Sequence, residues 1–205
     1  MDKDKLINYL KKHFPDYIVN AFLKIKREEF IPKEFKEYAY LDKPIPLATG
    51  STISQPYTVA FMLNILELDK LKNDNTKVLE VGFGSGYVLA LIDEILKNMK
   101  INNYKIYGTE IIEDLIKKSR IIFKDNKNII IYKSPDIGLK NQAPYDRILV
   151  SAAATKIPEN LINQLKPNGI LVIPVKNSIL KISKINNKII REEFPGFVFV
   201  PLIEQ

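Results

Sequence analysis

"KVLEVGFGSGYVLALIDEILKNM", residues 77 to 99, places a short β-like run, a glycine-rich turn and an amphipathic helical pattern in immediate succession. Gly82, Gly84 and Gly86 are three of the eight glycines in a chain of 205 residues. Glycine loses more backbone freedom on folding than any other residue, so such clustering marks a backbone that turns left-handed or lies close against something. The spacing narrows what that something is. A dinucleotide fingerprint, Gly-x-Gly-x-x-Gly, would need glycine where Tyr87 stands, and no Gly-Lys-Ser/Thr phosphate loop follows. The turn is therefore built neither for a dinucleotide nor for a triphosphate.

Downstream of this unit, strand and helix patterns alternate. "KIYGTE" (105 to 110) reads as a strand, "IIEDLIKKSRIIF" (111 to 123) as a helix, "NIIIY" (128 to 132) and "DRILVSAAA" (146 to 154) as further strands. "PENLINQL" (158 to 165) opens with Pro at a helical first turn, and "PNG" (167 to 169) is a turn before the apolar strand "ILVIPV" (170 to 175). Alternation of this kind predicts an α/β domain with a mostly parallel sheet and helices on both faces. At the end, "ILKISKI" (179 to 185), the turn "NNK", "IIREEF" and "FVFVPL" (197 to 202) are strand-like without helices between them, which predicts an antiparallel pair at one sheet edge. The first 75 residues carry helical patterns at 2 to 13, 16 to 27 and 57 to 68, around an irregular Pro-rich passage, "LDKPIPLATGSTISQP" (41 to 56). With no linker, repeat or low-complexity segment, residues 1–205 read as a single domain. It comprises an N-terminal helical extension (1–75) and a ligand-binding core (76–205).

Composition restricts the chemistry. There is no cysteine, which removes disulfides, thiolate metal sites and a thiol nucleophile. The N-terminus is charged and lacks the apolar run of a signal peptide or a membrane span, so the expectation is a cytoplasmic protein with no membrane partner. The net charge of +7 comes from lysines dispersed among acids, as in "KREEF" (26 to 30), and reads as a solvated surface without a nucleic-acid footprint. The single histidine, His13, stands in an N-terminal helical pattern and reads as a surface residue. No metal site is expected.

A glycine turn after the first parallel strand lies at the carboxyl end of an open α/β sheet, where ligands bind. The pattern Glu80-x-Gly82-x-Gly84-x-Gly86 resembles motif I of the Rossmann-like methyltransferases that use S-adenosylmethionine. In that family the turn passes beneath the methionine and ribose portions of the cofactor, and an acid ending the second strand takes the ribose hydroxyls. Glu110 stands at that position, and a carboxylate accepts two hydroxyl hydrogen bonds well. A cap on the helix that follows is its other reading. The resemblance implies a seven-stranded sheet and cofactor contacts at Glu80, Gly82, Phe83, Gly84, Gly86 and Glu110.

"REEFIP" (27 to 32), "AYLDKPIPLATGSTISQPYTVAFM" (39 to 62), "VLEVGFGSGY" (78 to 87), "PYDRILVSAAATKIPENLINQLKPNGILVIPV" (144 to 175) and "FVFVPL" (197 to 202) together resemble the protein-L-isoaspartate O-methyltransferase family, in order and over nearly the whole chain. That resemblance implies transfer of a methyl from S-adenosylmethionine to the free α-carboxyl of isoaspartyl residues in damaged proteins, leaving S-adenosylhomocysteine. The methyl ester then returns through a succinimide, which initiates repair. It implies Ser54 as the active-site residue, cofactor contacts at Thr52 and Ser54, and residues 1–75 as a substrate-side extension; Thr52 and Ser54 could instead stabilise the turn before Pro56. Ser54 has no evident His and Asp partners, so a role in orienting groups suits it better than a role as nucleophile.

One departure is "KSPDIG" (133 to 138), where the family has Gly-Asp-Gly with an Asp near the adenine. Ungapped alignment on Gly138 puts Ser134 at the acidic position, and a small shift puts Asp136 there; Asp136 is preferred as an acceptor for the adenine amino group. A monomer acting on isoaspartyl proteins and peptides is the expectation. The alternatives are a methyltransferase of the same fold acting on a small molecule, RNA or modified peptide, or a cofactor-binding relative with impaired catalysis.

Overall fold

The computed structural model of the chain describes residues 2–47, 50–72, 75–186 and 188–203. Ala48 and Thr49 of the Pro-rich passage, and Asn187 of the expected "NNK" turn, lie outside them. Helix α1 (Lys3–Leu10) begins where Asp2 accepts the Lys5 amide at 2.9 Å, satisfying one of the unpaired N–H groups of the first turn. It and α2 (Asp16–Lys24) bury Leu6, Leu10, Ile18 and Phe22 on one side and expose lysines on the other. The Pro-rich passage folds back on itself as a two-stranded antiparallel ladder, β1 (Ile45–Pro46) and β2 (Thr52–Ile53). Pro56 then opens α3 (Pro56–Ile65), where its missing N–H costs nothing.

The remaining elements follow the alternation predicted. They are β3 (Thr76–Val81), α4 (Tyr87–Asn98), β4 (Tyr104–Glu110), α5 (Glu113–Ile122), β5 (Ile129–Lys133), β6 (Tyr145–Val150), α6 (Glu159–Asn163), β7 (Leu165–Val175), β8 (Ser178–Ile185) and β9 (Lys188–Pro195). Strands β3 to β9 form one seven-stranded sheet in the order β5-β4-β3-β6-β7-β8-β9. Pairing is parallel from β5 to β7, and antiparallel at β7–β8 and β8–β9. The chain leaves β3 toward β4 on one side and returns to β6 on the other, so the strand order reverses at β3 and a crevice opens beyond its carboxyl end.

Successive residues of each central strand enter opposite faces. Val78, Ile106 and Leu149 join a core shared with α1 to α4, while Leu79, Tyr107, Ile148 and Val150 join a second core with Leu161 of α6. Both faces are covered, which explains why these strands read as unbroken apolar runs. The N-terminal helices share the first core continuously with the sheet. Among the described residues no helix is long and apolar enough to cross a membrane.

Three expectations need correction. "FVFVPL" is not a strand: Gly196, at φ +96°, turns the chain, and the segment crosses the ends of the strands with only an isolated bridge between Pro201 and Ala153. The strand expected over 146 to 154 stops at Val150, and Ser151 to Ala154 turn away at the crevice. "PNG" lies inside β7, where Asn168 takes φ +63° and the register with β6 shifts between Tyr145 and Arg147.

Candidate active site

The crevice at the strand carboxyl ends holds a cavity of about 300 Å³. Its walls come from Gly50 to Thr52, the glycine turn, residues 109–112 at the end of β4, residues 134–137 after β5, Ser151 and Ala152 after β6, and the crossing segment 200–203. That segment is held by two backbone bonds, Ala153 N–H to the Val200 carbonyl at 2.8 Å and Leu202 N–H to the Ala153 carbonyl at 2.8 Å.

The glycine turn is shaped by its backbone. Gly82, Gly84 and Gly86 all have positive φ, at +73°, +57° and +85°. The amides of Gly82 and Phe83 both donate to the Thr109 carbonyl, at 2.8 and 3.2 Å, which fixes the turn to the end of β4. A Cβ on Gly82 would meet nothing nearer than Ala152 at 4.0 Å, so the absence of a side chain there keeps the cavity open. Gly86 differs: a Cβ would lie 2.7 Å from Phe123 Cε2, so this glycine serves packing against the end of α5. Phe83 is buried, with its ring filling the space left by Gly108.

Glu110 closes the other side. Its Oε2 accepts the Gly84 amide at 2.9 Å, and Oε1 accepts those of Ile111 and Ile112 at 2.8 and 3.1 Å. The helix-cap reading of Glu110 and its place in the cavity wall thus coexist, and about one of a carboxylate's four acceptor positions stays open. Behind it, Glu80 is fully buried; Ser151 Oγ donates to its Oε1 at 2.7 Å while Oε2 has no partner. Burial pushes the Glu80 carboxyl up to about 8; the Ser151 hydrogen bond opposes the rise and the neighbouring charge of Glu110 adds to it.

Of the residues singled out from the sequence, Thr52, Gly82, Gly84, Glu110, Ser134 and Asp136 line the cavity together. Ser54, Glu80, Phe83 and Gly86 stand outside its wall. Ser134 and Asp136 both face it, and Ser134 Oγ donates to the Asp136 carbonyl at 3.3 Å. His13 is exposed, its ring packed edge-on against Tyr57 with centroids 5.6 Å apart. Sequence reasoning gave no individual role to Thr109, whose buried Oγ1 has no partner, or to Ser151. The available signal was position: both stand at or just past the carboxyl end of a parallel strand, on either side of β3.

The donor set suits an adenosyl sulfonium group. Among the described residues no lysine or arginine lines the cavity, Glu110 and Asp136 are its acidic side chains, and Ile111 and Ile137 offer apolar walls for a flat base. Among the described residues no group of three or more His, Asp or Glu side chains is arranged to hold a metal ion.

Comparison with known proteins agrees over the whole chain. The family model described as Protein-L-isoaspartate(D-aspartate) O-methyltransferase (PCMT) matches residues 1–205. A protein-L-isoaspartate O-methyltransferase of Petrotoga mobilis is 40% identical over 199 residues, covering 91% of this chain and 86% of its own length. Another, of Methanothrix thermoacetophila, is 38% identical over 209 residues, covering 99% and 95%. Among solved structures, a Plasmodium falciparum beta-aspartate methyltransferase (PCMT) in complex with S-adenosyl-L-homocysteine superposes with a TM-score of 0.83 at 25% identity, over 100% of both chains. A seven-stranded sheet with its glycine turn tied to Glu110, and a family match from end to end, make this chain a member of the protein-L-isoaspartate(D-aspartate) O-methyltransferase family.

Proposed function

We propose that this cavity binds S-adenosylmethionine and that the chain uses it to methylate the free α-carboxyl of isoaspartyl residues, the first step in repairing damaged proteins. The observation that carries the reading is the bond from the Gly84 amide to Glu110 in the wall of a cavity lined, among the described residues, by no cationic side chain. S-adenosylmethionine, when bound, supplies an electrophilic methyl on a sulfonium. Glu110 takes a ribose hydroxyl at its one open acceptor position, Asp136 with Ser134 beside it takes the adenine edge, and the bare backbone at Gly82 and Gly84 accommodates the methionine portion. Glu80 acts from behind by holding Ser151, while Phe83 and Gly86 fix the shape of the turn.

The acceptor needs little activation. An α-carboxyl titrates at about 3.5, so it is already ionised at neutral pH and requires no general base. What the protein contributes is alignment and exclusion of water. Thr52, in the wall on β2, and Ser54, directly after that strand, orient the acceptor carboxylate or the cofactor by hydrogen bonding. Segment 200–203 covers the cavity from the opposite side.

The continuous core joining the N-terminal helices to the sheet supports one folded unit over 1–205, and a monomer is the oligomeric state in this reading. Lysines dispersed among acids support a solvated surface without a nucleic-acid partner, and the charged N-terminal stretch supports a cytoplasmic role without a membrane partner. The test is transfer of labelled methyl from S-adenosylmethionine to a peptide containing isoaspartate and to its aspartate twin. Base-labile label on the first alone is expected; equal labelling, or none on either, removes the assignment.

A further inference from the structure

Ser54 stands beside two anchors that end on a single carboxylate. Asp42 Oδ2 accepts Gln55 Nε2 at 2.9 Å, and its Oδ1 accepts the backbone N–H of Tyr57 at 2.8 Å. The Tyr57 amide is one of the N–H groups that the start of α3 leaves without a partner inside the helix. Gln55, at the cap position, offers no side-chain cap of its own, so Asp42 supplies it from the start of the same Pro-rich passage.

The next residue carries a second tie. The carbonyl of Lys43 accepts Arg27 Nη2 at 3.2 Å. Arg27 is fully buried, and its guanidinium carbon lies 5.8 Å from the centroid of the Tyr87 ring. Tyr87 is the first residue of α4, directly after Gly86 of the glycine turn. Arg27 therefore bridges the end of the donor-side turn and the segment that holds Ser54. Its Nε and Nη1 have no partner, an arrangement that costs stability. Burial lowers its pKa to about 10, an effect opposed by Tyr87 and Asp42. Neither Asp42 nor Arg27 lines the cavity.

We propose that Asp42 and Arg27 are positioning residues for methyl transfer, jointly setting the Ser54 turn against the glycine turn so that acceptor and donor meet in line. This rests on the reaction assigned above. A displacement of about 1 Å in such an alignment can cost about a hundredfold in rate, with cofactor binding untouched.

The test uses the full-length chain with Asp42→Ala and Asp42→Asn. Asp42→Ala is expected to lower kcat for an isoaspartyl peptide about 10- to 100-fold, with KM for the peptide and Kd for S-adenosylhomocysteine held within about twofold. Asp42→Asn keeps an acceptor for the Tyr57 amide and is expected to recover kcat to within about threefold of wild type. Arg27→Lys, which keeps the charge and loses the planar fork over Tyr87, is expected to reproduce the kcat defect. The positioning role is overturned if Asp42→Ala leaves kcat within about twofold, if cofactor affinity and kcat fall together, or if Asp42→Asn recovers nothing. A wild-type chain silent on isoaspartate overturns the reaction assignment and the positioning role with it. An active wild type with an equally active Asp42→Ala overturns the positioning role alone.

Discussion

Glu110 and Gly84 join the ends of two neighbouring parallel strands: the carboxylate that terminates β4 accepts, at 2.9 Å, an amide of the turn that terminates β3. The same carboxylate holds the Ile111 and Ile112 amides ahead of α5. One side chain thus shapes the cofactor turn and faces the cavity. Glu110→Gln replaces one acceptor oxygen with a donor and removes the charge that strengthens these bonds. Calorimetric affinity for S-adenosylhomocysteine is expected to fall about 10- to 100-fold, the worth of one or two charge-assisted hydrogen bonds. Unchanged affinity would remove Glu110 from the binding site.

Two glycines of one turn should respond differently to the same substitution. Gly86→Ala meets Phe123 at 2.7 Å with φ at +85°, so urea denaturation should show a loss of about 2–4 kcal/mol. Gly82→Ala has room in the fold and costs about 1–2 kcal/mol through its φ of +73° alone, but its methyl projects toward the cavity. S-adenosylhomocysteine affinity should therefore suffer more from Gly82→Ala than stability does. The reverse ranking would contradict the geometry.

Burial of Glu80 makes stability depend on pH. Its folded pKa of about 8 lies well above its unfolded value, so the folded state holds a proton that the unfolded state has released across that interval. The stability associated with this proton is complete below about pH 4.5 and is lost as pH rises through about 8, a change on the order of a few kcal/mol. Denaturation of Glu80→Gln at a series of pH values should show this alkaline decline removed. An unchanged pH profile would mean that Glu80 is ionised in the fold.

Asp136 and Ser134 share one stretch of the cavity wall, proposed as the adenine side, and their chemistry separates them. Asp136→Ala should weaken S-adenosylhomocysteine binding about tenfold, the worth of a hydrogen bond to a charged acceptor. Ser134→Ala, which loses only a hydroxyl already directed to the Asp136 carbonyl at 3.3 Å, should change it by less than about twofold. The opposite order would assign the role to Ser134.

What the sequence made legible is what depends on near neighbours. The succession of strand, glycine turn and helix at 77 to 99 is a local pattern, and the mostly parallel sheet follows from alternation. The crossing segment misled because Phe197 and Phe199 alternate with valines as a strand would. Phe197 instead stacks on Phe61 with centroids 5.1 Å apart, and Val198 is 86% exposed. Its apolar residues cover the strand ends, a role that carries no periodicity of its own. Asp42 was invisible for a related reason. Its partners Gln55 and Tyr57 are brought to it only when the Pro-rich passage folds back, and a lone aspartate near prolines reads as turn chemistry. The glycine motif marked the neighbourhood of the cavity without ordering its depth: Gly82 and Gly84 face it, while Glu80, Phe83 and Gly86 stand behind.

The central claim is a methyl on one particular carboxyl group, and tandem mass spectrometry of a methylated isoaspartyl peptide tests it most directly. The account predicts the added methyl on the α-carboxyl of the isoaspartyl residue, with no methylation of the aspartate twin. A methyl on the aspartate side chain, on the peptide C-terminus or on a nitrogen would contradict it.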